Sequence, residues 1–76
     1  MKSLPNQDPV IVRRKRIEAG LTQGGLAAAA EISQAYMSML ENGSASASAP
    51  VLKRLASVLS CEIADLMAPQ PTRSAV

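Results

Sequence analysis

The chain has 76 residues and a formal net charge of +2, with 47% of its residues apolar and 18% charged, the balance of one small globular domain. It has no His, Phe or Trp, a single Cys (Cys61) and one aromatic residue, Tyr36, which excludes a zinc ligand set, a disulfide framework and His-based acid–base or triad chemistry. Two Asp and four Glu leave little for carboxylate catalysis, no apolar run approaches the roughly 20 residues that span a bilayer, and residues 1–6 lack the apolar stretch of a signal peptide, so the composition points to a non-enzymatic, cytoplasmic binding module.

Residues 1–8 carry Pro5, Asn6 and Asp8 without hydrophobic periodicity and are expected to form a flexible arm. Pro9 suits the first turn of a helix, where its missing N–H costs nothing. That helix is expected to run to about Ala19 and to stop at Gly20, with Val10, Ile17 and Leu21 on one stripe and Val12 and Arg16 on the next. Thr22 is a good N-cap for a second helix, about Gln23 to Ala30, which buries Leu26, Ala27 and Ala30. Gly24 and Gly25 are odd there, since each costs up to about 1 kcal/mol relative to Ala. Ser33 caps a third helix, about Gln34 to Asn42, ended by Gly43, with Met37 and Leu40 inward.

Residues 44–49, Ser-Ala-Ser-Ala-Ser-Ala, alternate as a strand would, but nothing nearby could pair with them and a loop is expected. Ser48 or Ala49 opens a fourth helix through Leu59, with Pro50 in its first turn and Leu52, Leu55, Ala56 and Leu59 inside. A fifth, about Glu62 to Met67, ends before Pro69 and buries Ile63 and Leu66. Residues 68–76 hold two prolines and no apolar cluster, and are expected to form a flexible tail. The expectation is an all-α, compact five-helix domain over residues 9–67 with an aliphatic core and modest stability.

Half of the eight cations are consecutive, Arg13-Arg14-Lys15-Arg16, and Lys53-Arg54 form a second pair. A basic run is as readily a solvated helix face as a contact surface. The more informative stretch is Thr22 to Gly43. Counting from Gln23, Ala27 lies four residues on, Ile32 nine, Met37 fourteen and Leu40 seventeen. Two steeply crossing helices need a small residue at Ala27 so that their backbones can approach, and apolar residues at 32, 37 and 40 to lock the second helix on the first. Locked in this way, the outer face of the second helix stands clear and fits a major groove.

The segments Arg16-Ile17-Glu18-Ala19-Gly20-Leu21-Thr22-Gln23, Leu26-Ala27, Ile32-Ser33-Gln34-Ala35-Tyr36-Met37-Ser38, Leu40-Glu41-Asn42-Gly43 and Leu55-Ala56-Ser57-Val58-Leu59 together resemble the phage-repressor and Cro type of helix-turn-helix, the XRE-like family. The resemblance covers about residues 10–67 and implies a lambda-repressor-like fold with the helix-turn-helix at its second and third helices. It implies that Gln23 bonds a backbone phosphate, that Ser33, Gln34, Ala35, Ser38 and Met39 face the groove, and that Asn42 and the N–H groups around Gly43 touch phosphate. Arg16 and Glu41 match a buried ion pair of the family. The chain departs from the family pattern at Glu31 and Ser60, where Gly is usual, at Met39, where Arg, Gln or Lys is frequent, and in residues 44–49, which lack the usual Lys, Arg and Pro.

Each assignment has a plainer alternative. Gln34 either pairs with adenine or is an ordinary first-turn polar residue, and Ala35 and Met39 either pack on thymine methyls or are small and apolar surface residues. Tyr36 either bonds a phosphate or covers the edge of the core. Arg13 and Arg14 either contact the DNA backbone or are solvated, as Lys53 and Arg54 are expected to be. Cys61 is expected to be a small buried hydrophobe. No cofactor, metal or small-molecule ligand is expected. The leading functional expectation is a sequence-specific DNA-binding transcriptional regulator of bacterial or phage origin, a repressor or controller, binding double-stranded DNA as a homodimer through the fourth–fifth helix region. The alternative is a helix-turn-helix fold used for protein–protein binding, as in antitoxins or phage proteins that neutralise a host factor.

Overall fold

The computed structural model describes residues 4–68, which form α1 (Pro9–Glu18), α2 (Gln23–Ala29), α3 (Gln34–Asn42), α4 (Ala49–Leu59) and α5 (Ile63–Leu66). Local chemistry starts each of the first four. The Asp8 carboxylate accepts from the N–H groups of Val10 and Ile11, Thr22 Oγ1 from Gly25, Ser33 Oγ from Tyr36, and Ser48 Oγ from Val51. These acceptors satisfy donors that a helix N-terminus leaves without an internal partner. α5 is shorter than expected: Met67 is already extended, and the Glu62 N–H donates to the Asp65 carboxylate at 2.9 Å.

The connections use the left-handed backbone region four times, at Gly20, Glu31, Gly43 and Ser60. At φ +62° for Glu31 and +56° for Ser60, both residues crowd Cβ against the following carbonyl. Glu31→Gly is therefore expected to raise stability by up to about 1 kcal/mol, since relief of roughly 1–2 kcal/mol of strain exceeds the roughly 0.4–1 kcal/mol of added freedom in the unfolded chain. The midpoint of a urea melt reads this directly; a fall would show that the Glu31 carboxylate makes a contact stronger than the strain.

Val12, Leu26, Ala27, Ala30, Met37, Leu40, Ala47, Val51, Leu52, Leu55, Ala56, Leu59 and Leu66 form one buried cluster, each of the larger ones contributing about 1.5–3 kcal/mol by its removal from water. α2 packs on α3 across Ala27, and α1 and α4 close the two sides. Of the two stripes on α1, the one with Val12 and Arg16 faces in, and Val10 and Ile17 are 74% and 55% exposed. Two further sequence expectations need correction. Ile63, expected to be buried, is 36% exposed, while Leu66, one turn on, is fully buried.

The other correction concerns the arm. Asn6–Asp8 are fastened into the fold: the Asp8 N–H donates to Leu66 O at 2.8 Å, the Ala68 N–H to Asn6 O at 2.9 Å, and Gln7 faces Met67 in an antiparallel bridge. Residues 1–3 of the expected arm and 69–76 of the expected tail lie outside the described residues. Residues 44–48 form a loop, as expected, with Ala49 already the first residue of α4, yet the alternation has a meaning. Ala47 is fully buried and Ala45 packs on the core, while Ser44, Ser46 and Ser48 face solvent.

Candidate nucleic-acid interface

The helix-turn-helix is held by an ion pair that ties α1 to the end of α3. Arg16 Nε donates to Glu41 Oε2 at 2.6 Å and its Nη2 to Oε1 at 3.0 Å, a two-pronged contact with side chains 14% and 5% exposed. Nη1 donates to Leu21 O at 2.9 Å, and Gln23 Nε2 adds a bond to Glu41 Oε1 at 3.2 Å. Hydrogen bonding to Glu41 raises the Arg16 pKa, reinforced by the carboxylate's charge and opposed by desolvation. One guanidinium thus fixes the end of α1, the entry to α2 and the end of α3.

With Met37 and Leu40 buried, Tyr36 half-buried and Glu41 turned to Arg16, the other positions of α3 face outward. Ser33, Gln34, Ala35, Met39 and Asn42 are exposed, and Ser38 is half-buried. Gln34 rests its amide over α2: a Cβ at Gly24 would lie 3.2 Å from Gln34 Oε1. At Gly25 a Cβ would lie 3.1 Å from Thr22 Oγ1, the N-cap oxygen. The two glycines that looked costly for α2 therefore make room for its cap and for the first polar residue of α3.

Other assigned residues are partly committed inside the chain. The Tyr36 hydroxyl donates to Ser46 O at 3.1 Å, and its half-buried ring packs on the core. It would have to release that bond to donate to a phosphate. Asn42 Oδ1 accepts from Ser44 N and Ser44 Oγ at 2.8 and 2.6 Å, folding the chain out of α3. Gln23 is held by Glu41 as described. Arg13 and Arg14 stand apart, on the outer face of α1 with Val10, Ile17 and Glu18. The Arg14–Glu18 approach of 3.8 Å is highly exposed, and such pairs contribute about 0–1 kcal/mol.

Arg54 does something its position beside Lys53 does not reveal. Its Nε donates to Ala30 O at 2.8 Å, satisfying a carbonyl at the end of α2, whose last turn has no basic residue. The backbone N–H groups of Glu31 and Ile32 already close this end on Ala28 O and Ala27 O, and Arg54 adds a bond from 24 residues away. Cys61 is half-buried against the core, and that burial pushes its thiol pKa up, with Lys15 opposing. Among the described residues no group of His, Cys, Asp and Glu could hold a metal ion, and no helix is long and apolar enough to cross a membrane.

A helix-turn-helix family model matches residues 12–66, more than half of the chain. The chain is 32% identical to the clp gene regulator ClgR from Corynebacterium glutamicum, covering 75% of this chain and 74% of that one, with a TM-score of 0.69. It is 27% identical to the restriction-modification controller protein C.AhdI from Aeromonas hydrophila over 78% of this chain and 89% of that one, with a TM-score of 0.74. The controller protein C.Esp1396I, 24% identical over 71% of this chain and 70% of that one with a TM-score of 0.65, shares the fold. No curated protein sequence matches. On the family match and the five-helix architecture together, the chain belongs to the XRE-like helix-turn-helix family.

Proposed function

We propose that this protein is a sequence-specific DNA-binding transcriptional regulator, a repressor or controller without enzymatic activity, that places α3 in the major groove of double-stranded DNA in the cytoplasm. The observation that carries the reading is the outward set Gln34, Ala35, Met39 on a helix clamped by Arg16–Glu41. A rigid platform with a free, mixed polar and apolar edge is what direct base readout needs. The relatives' roles as a gene regulator and as restriction-modification controllers support it. In this reading Gln34 pairs with adenine, Ala35 and Met39 pack on thymine methyls, and Ser33, Ser38, Gln23 and Asn42 line the contact. Tyr36 acts by packing, and Arg13 and Arg14 supply charge.

One helix reads too few base pairs for useful specificity, so the active species is a homodimer on a two-fold site. Exposed Ile63 and Met67, beside half-buried Val58 and Cys61, give the α4–α5 region the apolar surface that a self-association would cover. Gln34→Ala tests the reading. It is expected to weaken binding to the preferred site by about 1–3 kcal/mol and to leave random-duplex binding nearly unchanged. Equal losses on both duplexes in a fluorescence titration would remove Gln34 from base readout.

A second reading, a helix-turn-helix that binds another protein, is favoured by Val10 and Ile17, which put apolar surface on the outside of α1. Failure to bind any duplex, together with a tight protein partner, would select it.

A further inference from the structure

Gln7 is the one polar residue among the described residues that is fully buried, at 0% exposure. It lies outside the part of the chain that the family model matches. Both N–H donors and the oxygen of its amide are used: Nε2 donates to Leu40 O at 3.0 Å and to Ala45 O at 2.8 Å, and Oε1 accepts from the Ala47 N–H at 2.8 Å. Asn6 extends the same seam, with its N–H donating to Ser46 Oγ at 2.9 Å and its Nδ2 to Ala47 O at 2.8 Å. Four of these five bonds, from two consecutive side chains and one backbone N–H, therefore shape the segment between α3 and α4, and the fifth, to Leu40 O, ties the same network to the last turn of α3.

The start of the loop is held by α3 itself, with the Ser44 and Ala45 N–H groups donating to Met39 O and the Tyr36 hydroxyl to Ser46 O, whereas the Ala47 N–H is held by Gln7. Residues 44–49 are Ser and Ala only, with short side chains and no charge. A loop of that composition samples many conformations unless its backbone is pinned. Its outward serines adjoin Asn42 and Gly43, so its shape decides what the chain offers beyond the end of α3.

We propose that Gln7 is a positioning residue for DNA binding: from beneath, it holds residues 44–47 in the one conformation that lets the end of α3 and the loop meet the duplex together. The proposal rests on the DNA-binding reading above. Because Gln7 fixes a neutral loop, its loss lowers affinity alike on specific and random duplexes and leaves the salt dependence unchanged. If the competent loop falls to about one-tenth of the population, affinity falls about tenfold.

Gln7→Met keeps length and volume while removing all three bonds. Leu55→Val, a core change in α4, supplies a variant of lowered melting temperature without touching the loop. Two measurements are made well below both melting transitions: hydrogen exchange of the Ala47 amide, which donates to Gln7, and duplex affinity. The expected result is fast exchange at Ala47 in Gln7→Met with the core amides still protected, and an affinity about tenfold weaker than that of the wild type. Leu55→Val should keep both loop protection and affinity. Unchanged loop exchange in Gln7→Met overturns the proposal regardless of DNA. A loosened loop with wild-type affinity, or an equal affinity loss in Leu55→Val, overturns it as well. A wild-type chain that binds no duplex overturns the DNA-binding reading, and with it the DNA half of this proposal, while the exchange data still decide whether Gln7 shapes the loop.

Discussion

Arg16→Ala and Glu41→Ala are each expected to lower the unfolding free energy by about 3–5 kcal/mol, and the double variant by clearly less than the sum. Removing Arg16 strands a carboxylate whose side chain is only 5% exposed, with the Gln23 amide as its remaining partner, and frees Leu21 O. Removing Glu41 strands the guanidinium with Leu21 O alone. Most of each loss is the penalty of the charge left behind, so removing both partners relieves part of it. A domain of this size has only about 5–15 kcal/mol in hand, so the single variants sit near the edge of folding and should be melted in urea at low temperature. Additive losses would show that the two side chains act independently, against the bidentate geometry.

Duplex binding is expected to weaken by about 250- to 1000-fold when salt rises from about 50 to about 200 mM, a logarithmic slope of roughly 4–5 at about 0.9 per phosphate neutralised. The structure narrows which cations can serve. Arg16 is committed to Glu41, and Arg54 Nε to the end of α2. The loop of 44–49 has no charge, and Gln34, Ala35, Ser38 and Met39 are neutral. Among the described residues, exposed Arg13, Arg14 and Lys53 then leave about two to three phosphate contacts per subunit of the proposed dimer. A slope near 10 would contradict this census.

The helices were legible because their starts are local: Thr22, Ser33 and Ser48 sit within three residues of the N–H groups they cap. The exposed edge of α3 was legible for the same kind of reason, since burial of Met37 and Leu40 leaves the intervening positions outside. On α1, periodicity supplied two stripes but not which one faces in. That choice belongs to Arg16, whose carboxylate partner lies 25 residues on and draws Val12 inward, leaving Val10 and Ile17 in water. Gln7 and Arg54 were illegible for a stricter reason. A buried amide and a helix-capping guanidinium are defined by carbonyls 24 to 38 residues away, and no local pattern separates them from solvated polar side chains.

The Ser-Ala repeat between α3 and α4 looks like a spacer whose length would hardly matter. Its inside–outside order, with Ala45 and Ala47 in and the serines out, makes it the reverse. Swapping one outward serine for another small residue changes little, but deleting one residue puts hydroxyls where methyl groups belong and withdraws the Ala47 N–H from Gln7. The segment is therefore permissive in composition and strict in count, so the variation open to it is substitution at constant length, in the part of the chain where loops are ordinarily freest to grow or shrink.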